Sequence, residues 1–308
     1  MTTTRKIRRL RGLLRGESGL LVGSTLLAAI TLLWPFSVRS DAAYWMLWGR
    51  ELTHFTLDTG TSWTSWKPLP VGFTTVYSLF GDTAASTLWM LTARAAMFFS
   101  AAVMLRVVAR LAGDALRPIG VSSKLPGAVG GLLAGLLVFR LLLPYTSLGY
   151  AEGLTVAVVL LALERALGGK HKSALLFGFA ACLSRPETLA PVMVYGLWLW
   201  FKQPELRKWV LLGPVFVVSA WLIPDWIGSG DPLRARYLGG VHRPDVRYPA
   251  DGKPWLMSKT LKTRSLQRAS RQKARNQQAT TTQPTPAPLR LRCQTSPSHK
   301  PLSELGGP

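Results

Sequence analysis

The chain has 308 residues, of which 48% are hydrophobic and 17% charged, and its formal net charge is +22. The length allows two domains. The two cysteines, Cys182 and Cys293, lie far apart and form neither a disulfide framework nor a metal-binding motif. Many basic residues stand between apolar blocks, which is typical of cytoplasmic loops in membrane proteins and argues against a specific nucleic-acid partner.

The first apolar block, residues 18–38, contains no charged side chain. About 20 apolar residues cross the core of a bilayer, so the block predicts a transmembrane helix. A cleaved signal peptide is the rival interpretation, because the basic stretch "RKIRRLRGLLR" precedes the block. The block is too long for a typical signal peptide, no A-x-A cleavage site follows it, and more apolar blocks come later. We therefore expect an integral membrane protein in which residues 1–17 form a basic N-terminus.

Six further apolar blocks follow, at residues 83–105, 125–149, 153–163, 173–184, 188–201 and 209–224. The stretch 173–201 could form one long helix or a hairpin that turns at "RPE", and proline disfavours the α conformation at Arg185. With the hairpin, the inner segments hold 16 Lys and Arg residues and the outer segments hold four up to residue 209. This asymmetry favours the hairpin. It predicts an all-α, multi-pass bundle of about seven spans over residues 18–251, in the plasma (inner) membrane with a cytoplasmic N-terminus.

The composition changes near Gly252. Residues 252–308 contain 11 Lys and Arg residues, the single acid Glu304 and no long apolar block. Such a segment buries too little apolar surface to fold, so we expect a low-complexity, disordered basic tail. An out-of-frame end of a longer membrane protein is the alternative. Seven spans would place this tail outside, which the charge rule tolerates for long segments.

The first outer segment covers residues 39–82 and contains Asp41 near its start. The stretch "AAYWMLWGRELTHF" that follows predicts a juxtamembrane helix lying in the interface, with its aromatic side chains at headgroup depth. The next stretch, "LDTGTSWTSWKPLPVG", predicts an ordered, irregular loop. Asp41 suits the N-cap of the juxtamembrane helix as well as a catalytic role.

Three later outer turns also carry ionisable side chains, which are Glu152 in "YTSLGYAEG", Arg185 and Glu187 in "RPE", and Asp225 and Asp231 in "PDWIGSGDP". Ionisable groups at membrane depth are costly and are usually functional. Glu152 and Glu187 could instead pair with Arg140 or Arg185 to neutralise charge. We expect a structural role for Arg94, and no metal role for the isolated His54.

These residues together resemble the GT-C superfamily of polytopic glycosyltransferases, in particular actinobacterial mannosyltransferase-like members. The similarity lies in an acid just after the first span ("RSDAAYW"), then "KPLP", "YAEGL", "LSRPETL" and "WIGSGDPL" in that order. It covers about residues 1–240. The resemblance implies transfer of a sugar from a polyprenyl-phosphate donor to a glycan or lipid acceptor at the outer membrane face, among membrane lipids.

The resemblance also implies roles for individual residues. Asp41 would be the general base that takes the proton of the acceptor hydroxyl. Lys67 and Arg185, and after them Arg50, would stabilise the phosphate leaving group. Glu152 and Glu187 would orient the sugar hydroxyls or these cations. The lipid-linked sugar is the donor that the resemblance implies; the sequence requires no other cofactor, and a divalent metal stays open although no dense acidic cluster demands one.

Two departures from the family are visible. Several members carry paired acids in the first loop, whereas Ser40 precedes Asp41 and Asp58 is distant in sequence. Members also continue with more helices, so the chain resembles a C-terminally truncated member. Two other functions remain open: a transporter or lipid-carrier flippase, which would place polar residues midway along its spans, and a non-catalytic membrane scaffold.

Overall fold

The computed structural model describes residues 16–34, 36–62, 64–116, 124–236 and 247–249. The chain divides into two units, Met1–Leu266 and Gln267–Pro308. The predicted basic N-terminus up to residue 15, Trp63 and the predicted tail 252–308 lie outside the described residues.

The described part of the chain is almost entirely helical. Its α-helices are α1 (Glu17–Thr31), α2 (Ser40–Thr53), α3 (Pro68–Ser78), α4 (Asp82–Leu116), α5 (Lys124–Thr146), α6 (Glu152–Leu167), α7 (His171–Cys182), α8 (Leu189–Lys202) and α9 (Arg207–Ser229). Short 3₁₀ turns precede α8 and α9. Two three-residue strands, β1 (Ser37–Arg39) and β2 (Arg247–Pro249), pair antiparallel.

Each of the seven apolar blocks contains a helix, which confirms the all-α prediction. Three helical stretches are long and apolar enough to cross a membrane: Asp82–Leu116, Leu125–Thr146 and Pro204–Ser229. Large apolar side chains along α5 and α9 are exposed, among them Leu136 and Phe216. An apolar helix surface of this kind is stable against lipid and costly in water, and these helices indicate a membrane protein.

The first helix is shorter than predicted. It ends at Thr31, whereas the apolar block continues to residue 38. Pro35 cannot donate a helical hydrogen bond and disfavours the α conformation of the residue before it, so the chain leaves the helix and enters β1. Arg94 of α4 donates hydrogen bonds to the carbonyl and hydroxyl of Thr31. Arg94 therefore has the structural role that the sequence suggested.

The hairpin prediction for residues 173–201 is confirmed. Helix α7 ends at Cys182 and α8 begins at Leu189. The two helices run antiparallel, because the Nδ1 atom of His171 lies 2.7 Å from the hydroxyl of Tyr195. A Cβ atom added to Gly178 would lie 3.0 Å from Val192, so small size at this position permits close packing.

The juxtamembrane helix exists, but the expected orientation of its aromatic side chains is wrong. Tyr44, Trp45 and Trp48 are at most 1% exposed. They pack in the protein core with Trp66 and Trp89, and do not form an interfacial belt. Indole and phenol rings bury large apolar areas when they pack in a core. The rings of α2 are buried because this helix packs against α3 and α4.

The long helix α4 is the centre of the first part of the bundle and packs against α1, α3, α5 and α6. A large hydrophobic cluster fills the space among α2, α4 and α6. A second, smaller cluster joins α7, α8 and α9. The prolines of "KPLP" were expected in an irregular loop, but Pro68 begins α3, because proline is pre-organised for the first position of a helix.

Candidate functional site

A cavity of about 800 Å³ lies at one end of the helices. The start of α2, the loop before α3, the α5–α6 turn, the α7–α8 turn and the later part of α9 build its wall. The lining residues are Arg39, Asp41, Ser65, Lys67, Pro144, Tyr145, Leu148, Tyr150, Glu152, Ser184, Arg185, Pro186, Glu187, Trp221 and Ala235. These residues come from segments that are distant in sequence, so only the fold brings them together.

Most of the residues expected at a site line this cavity; they are Asp41, Lys67, Glu152, Arg185 and Glu187. Arg50 does not. It lies nine residues after Asp41 on the same helix, which is about 13 Å along the axis. Its guanidinium forms an ion pair of 3.2 Å with Asp82 at the start of α4, so Arg50 joins α2 to α4 outside the cavity.

Asp41 lies in the first turn of α2 and is 7% exposed. Its Oδ1 atom accepts a hydrogen bond of 2.5 Å from the hydroxyl of Thr64. The N-cap of α2 is Arg39, so Asp41 is not the N-cap residue that the sequence offered as an alternative. A carboxylate in the first helical turn is still favoured by the helix dipole.

Lys67 lies at the N-cap of α3, directly before Pro68. Its ammonium group is 4.8 Å from the centre of the Trp45 ring, a distance at which a cation is attracted to the ring face. The amide of Leu69 donates a hydrogen bond of 3.0 Å to the carbonyl of Leu183. This bond joins the start of α3 to the end of α7, and it brings Lys67 and the "RPE" turn to the same cavity.

Glu152 and Arg185 form an ion pair across the cavity wall, between the start of α6 and the α7–α8 turn. The Glu152 side chain is 17% exposed and the Arg185 side chain is 42% exposed. The second carboxylate oxygen of Glu152 is buried and makes no hydrogen bond to the described residues. The hydroxyls of Thr155 and Ser184 lie 2.6 Å apart and join the same two segments. The expected neutralising pair is thus found, and it lies in the cavity itself.

Glu187 lies in the 3₁₀ turn that follows Arg185, and it is exposed. The proline before it, Pro186, is the first residue of that turn. The turn therefore presents Glu187 at the rim of the cavity, where its carboxylate remains hydrated.

Several lining residues were not singled out from the sequence as site residues. The Arg39 guanidinium is 6.0 Å from the ring centre of Tyr150, and the Arg39 amide donates to the carbonyl of Leu148 at 3.0 Å. Trp221 of α9 donates to the carbonyl of Cys182 at 2.9 Å. The sequence contained one signal for Arg39. It is a cation directly after the first apolar block and two residues before Asp41, where a charged residue is unusual.

The loop that carries Thr64 is held by a buried ion pair that the sequence did not indicate. Asp225 was expected in an outer turn, but α9 continues to Ser229 and Asp225 is 2% exposed. Its Oδ1 atom accepts a hydrogen bond of 3.1 Å from Nε of Arg234. The same guanidinium donates to the carbonyls of Ser62 and Thr64, at 2.9 and 3.1 Å.

The cavity combines opposite charges that suit acid–base chemistry next to an anion. Three cations, Arg39, Lys67 and Arg185, line it together with three carboxylates. A carboxylate can accept a proton from a hydroxyl within hydrogen-bond reach, and guanidinium and ammonium groups stabilise phosphate oxygens. Within the described part of the chain, no group of three or more His, Cys, Asp or Glu residues could hold a metal ion.

Comparisons with protein families, with curated proteins and with solved structures find no match to this chain. Interpretation of the cavity therefore depends on its own residues and geometry.

Proposed function

We propose that this chain is an integral membrane glycosyltransferase of the GT-C type, which transfers a sugar from a polyprenyl-phosphate donor to an acceptor at the outer membrane face. The observation that carries the proposal is the convergence of Asp41, Lys67, Glu152, Arg185 and Glu187 on one cavity. These residues come from outer segments of the predicted topology that apolar helices separate. A polar cavity where such segments meet is accessible to the headgroup of a lipid-linked sugar.

The opposite ends of the helices support the seven-span topology with a cytoplasmic N-terminus. Arg165 at the end of α6 forms an ion pair with Glu17 at the start of α1. Arg106 of α4 forms an ion pair of 2.7 Å with Glu164. The predicted inner segments thus meet one another, just as the predicted outer segments do. In this topology the inner pairs face the cytoplasm and the cavity faces outward.

The cavity has a suitable size for this reaction. Pockets for small molecules and cofactors commonly enclose about 300–1,000 Å³, and this cavity encloses about 800 Å³. It has room for a sugar phosphate together with the reacting part of an acceptor. The isoprenoid chain would lie along the apolar helix surfaces in the lipid.

In the proposed reaction the Asp41 carboxylate accepts the proton of the acceptor hydroxyl. The acceptor oxygen then forms a bond to the anomeric carbon, from the face opposite the phosphate. The bond between the anomeric carbon and the phosphate oxygen breaks, and its electron pair leaves with polyprenyl phosphate. The products are a glycoside of inverted configuration, the lipid phosphate and a protonated Asp41, which returns its proton to water.

The cations contribute by stabilising the negative charge that grows on the leaving phosphate. Lys67 and Arg185 are assigned this role, and Arg39 lines the same cavity. Glu152 holds Arg185 through their ion pair and so fixes the direction of the guanidinium. Glu187 at the rim accepts hydrogen bonds from sugar hydroxyls.

The decisive variant is Asp41→Asn in proteoliposomes supplied with polyprenyl-phosphate mannose or arabinose and a membrane acceptor fraction. Loss of a general base lowers kcat by about 10²–10⁴-fold, so we expect a decrease of that size. Asp82→Asn is the matched control, because Asp82 pairs with Arg50 outside the cavity. Undiminished transfer by correctly inserted Asp41→Asn protein would contradict the role of Asp41.

The same vesicles separate the proposal from its main rival. A lipid-carrier flippase would move labelled polyprenyl phosphate between leaflets without forming a new glycosidic bond. If the wild-type protein translocated the lipid without transferring sugar, the glycosyltransferase proposal would be rejected in favour of the flippase. If the wild-type protein showed neither sugar transfer nor lipid translocation, the non-catalytic scaffold would be favoured.

A further inference from the structure

Arg234 lies five residues after the end of α9 at Ser229, and its guanidinium is almost fully enclosed. The Arg234 side chain is 10% exposed and its partner Asp225 is 2% exposed. All three guanidinium nitrogens donate hydrogen bonds: Nε to Oδ1 of Asp225, one Nη to the main-chain carbonyl of Ser62 and the other Nη to the main-chain carbonyl of Thr64. Asp225 of α9 therefore orients the Arg234 guanidinium, and the guanidinium in turn holds the loop that contains Ser62 and Thr64.

The loop is docked on α9 at two further places. The amide of Thr59 donates to the carbonyl of Gly228 at 3.1 Å, and a Cβ at Gly228 would lie 2.8 Å from that amide nitrogen. The Trp66 indole donates to the carbonyl of Ala220 at 3.0 Å. Residues 59–66 are thus fixed at both ends, with Arg234 holding the middle.

Thr64 connects this loop to the cavity. Its carbonyl accepts from Arg234 at 3.1 Å, and its hydroxyl donates to Oδ1 of Asp41 at 2.5 Å. Thr64 is 1% exposed, so its side chain is shielded from bulk solvent. A fixed bond at Oδ1 sets the rotation of the carboxylate and therefore the direction of its second oxygen.

We propose that Arg234, oriented by Asp225, is a positioning residue that acts through Thr64 to aim the Asp41 carboxylate; the proposal rests on the proposed role of Asp41 as general base. Arg234 does not line the cavity among the described residues, although its neighbour Ala235 does. It fixes the loop, the loop fixes the Thr64 hydroxyl, and the hydroxyl fixes the carboxylate.

The energetics of a buried ion pair are consistent with positioning. Desolvation of two buried charges offsets most of their attraction, so such a pair contributes little net stability. The role of the Arg234 guanidinium is to fix the positions of its partners, because a planar guanidinium can bind a carboxylate and two carbonyls at fixed angles. A lysine at this position would keep the charge and lose the fork.

The test is a double-mutant cycle in the 308-residue chain, reconstituted in vesicles. The variants are Thr64→Val, Arg234→Gln, their combination, Thr64→Ser and Arg234→Lys. Arg106→Gln is the control, because it breaks an ion pair with Glu164 at the other end of the helices. Kinetics with polyprenyl-phosphate mannose or arabinose give kcat and KM separately.

A hydrogen bond to a charged group corresponds to a factor of roughly ten or more, so we expect Thr64→Val and Arg234→Gln each to lower kcat about tenfold. KM for the donor should change less than about twofold, because neither residue contacts it. The combined variant should be no slower than the slower single variant. Thr64→Ser should retain wild-type kcat, and Arg234→Lys should be as slow as Arg234→Gln.

A second measurement does not require sugar transfer: the rate at which dicyclohexylcarbodiimide modifies Asp41 at constant pH, followed by peptide mass spectrometry. Loss of the Thr64 hydroxyl removes one hydrogen bond from Oδ1, so both single variants should be modified faster than wild type, and the double variant no faster than the faster single. If the wild-type protein transfers no sugar, the proposed function fails. The modification rates alone then decide whether Arg234 positions the Asp41 carboxylate through Thr64. Should Arg234→Gln not fold, Arg234→Lys takes its place.

Three outcomes would overturn the proposal. The first is independent, multiplicative effects of Thr64→Val and Arg234→Gln on kcat or on the modification rate. The second is wild-type behaviour of Arg234→Gln or Arg234→Lys in both measurements. A change of the same size in Arg106→Gln would show that loss of any ion pair disturbs Asp41, and would also reject the specific role of Arg234.

Discussion

Helices α2 and α3 touch through their backbones at Gly49. A Cβ atom at this position would lie 2.6 Å from the carbonyl carbon of Thr74 and 2.7 Å from the amide nitrogen of Thr75. One turn away, the Thr74 hydroxyl donates to the carbonyl of Trp45 at 2.7 Å. Because α2 carries Asp41 in its first turn and α3 follows Lys67, this close contact sets the distance between the two sides of the cavity.

Gly49→Ala therefore introduces a clash that side-chain rotation cannot relieve, since the atoms met by the new methyl group are mostly backbone. Overpacking of this kind costs about 1–3 kcal/mol. Alanine gains about 0.5–1 kcal/mol over glycine inside a helix. The expected net loss in the free energy of unfolding is about 1 kcal/mol, and up to about 2.5 kcal/mol if the helices cannot shift apart.

Gly72→Ala is the matched control, because Gly72 lies on the exposed side of α3 and a Cβ there meets nothing within 4 Å. It gains the helical preference without a clash, so it should raise stability by about 0.5–1 kcal/mol. Thermal unfolding in detergent, followed by tryptophan fluorescence, compares both variants with wild type. Melting of Gly49→Ala at or above the wild-type temperature would refute the close contact between α2 and α3.

Two further predictions follow from the same contacts. Lys67→Gln should lower kcat/KM for the lipid-phosphate donor by roughly ten- to a hundredfold through loss of a charged phosphate contact, whereas Arg50→Gln, which breaks a partly exposed pair with Asp82 outside the cavity, should change it by less than about fivefold. Equal losses in the two variants would contradict the assignment of Lys67 to the cavity. Gly149 has φ +77° and a Cβ there would lie 3.1 Å from the sulfur of Met90, so Gly149→Ala should lower stability by about 1–2 kcal/mol; unchanged thermal unfolding would contradict this strain.

The apolar blocks predicted the helices well, because hydrophobicity over a window of residues is a local property. Each of the seven blocks contains a helix, and the break at Arg185 was visible from the proline that follows it. The boundary at Thr31 was missed by seven residues, since residues 32–38 are apolar but leave the helix.

The predicted site was more accurate for residues at the ends of helices than for residues within them. Asp41, Glu152 and Arg185 stand where apolar blocks begin or end, and such positions meet at one end of the bundle. Arg50 stands within α2, so its direction depended on helical phase. The burial of Trp45 and Trp48 was missed for a similar reason, because aromatic side chains suit both an interface and a core.

The sequence alone determined that the chain is helical, apolar enough for a membrane and supplied with charged residues at its helix boundaries, because these properties depend on residues close together in the chain. Only the tertiary structure decided which charges meet. Arg234 reaches the carbonyl of Ser62 across 172 positions of sequence, and Thr64 reaches Asp41 across 23. Contacts of this kind arise from the packing of α9 and the loop before α3, and no local pattern encodes them.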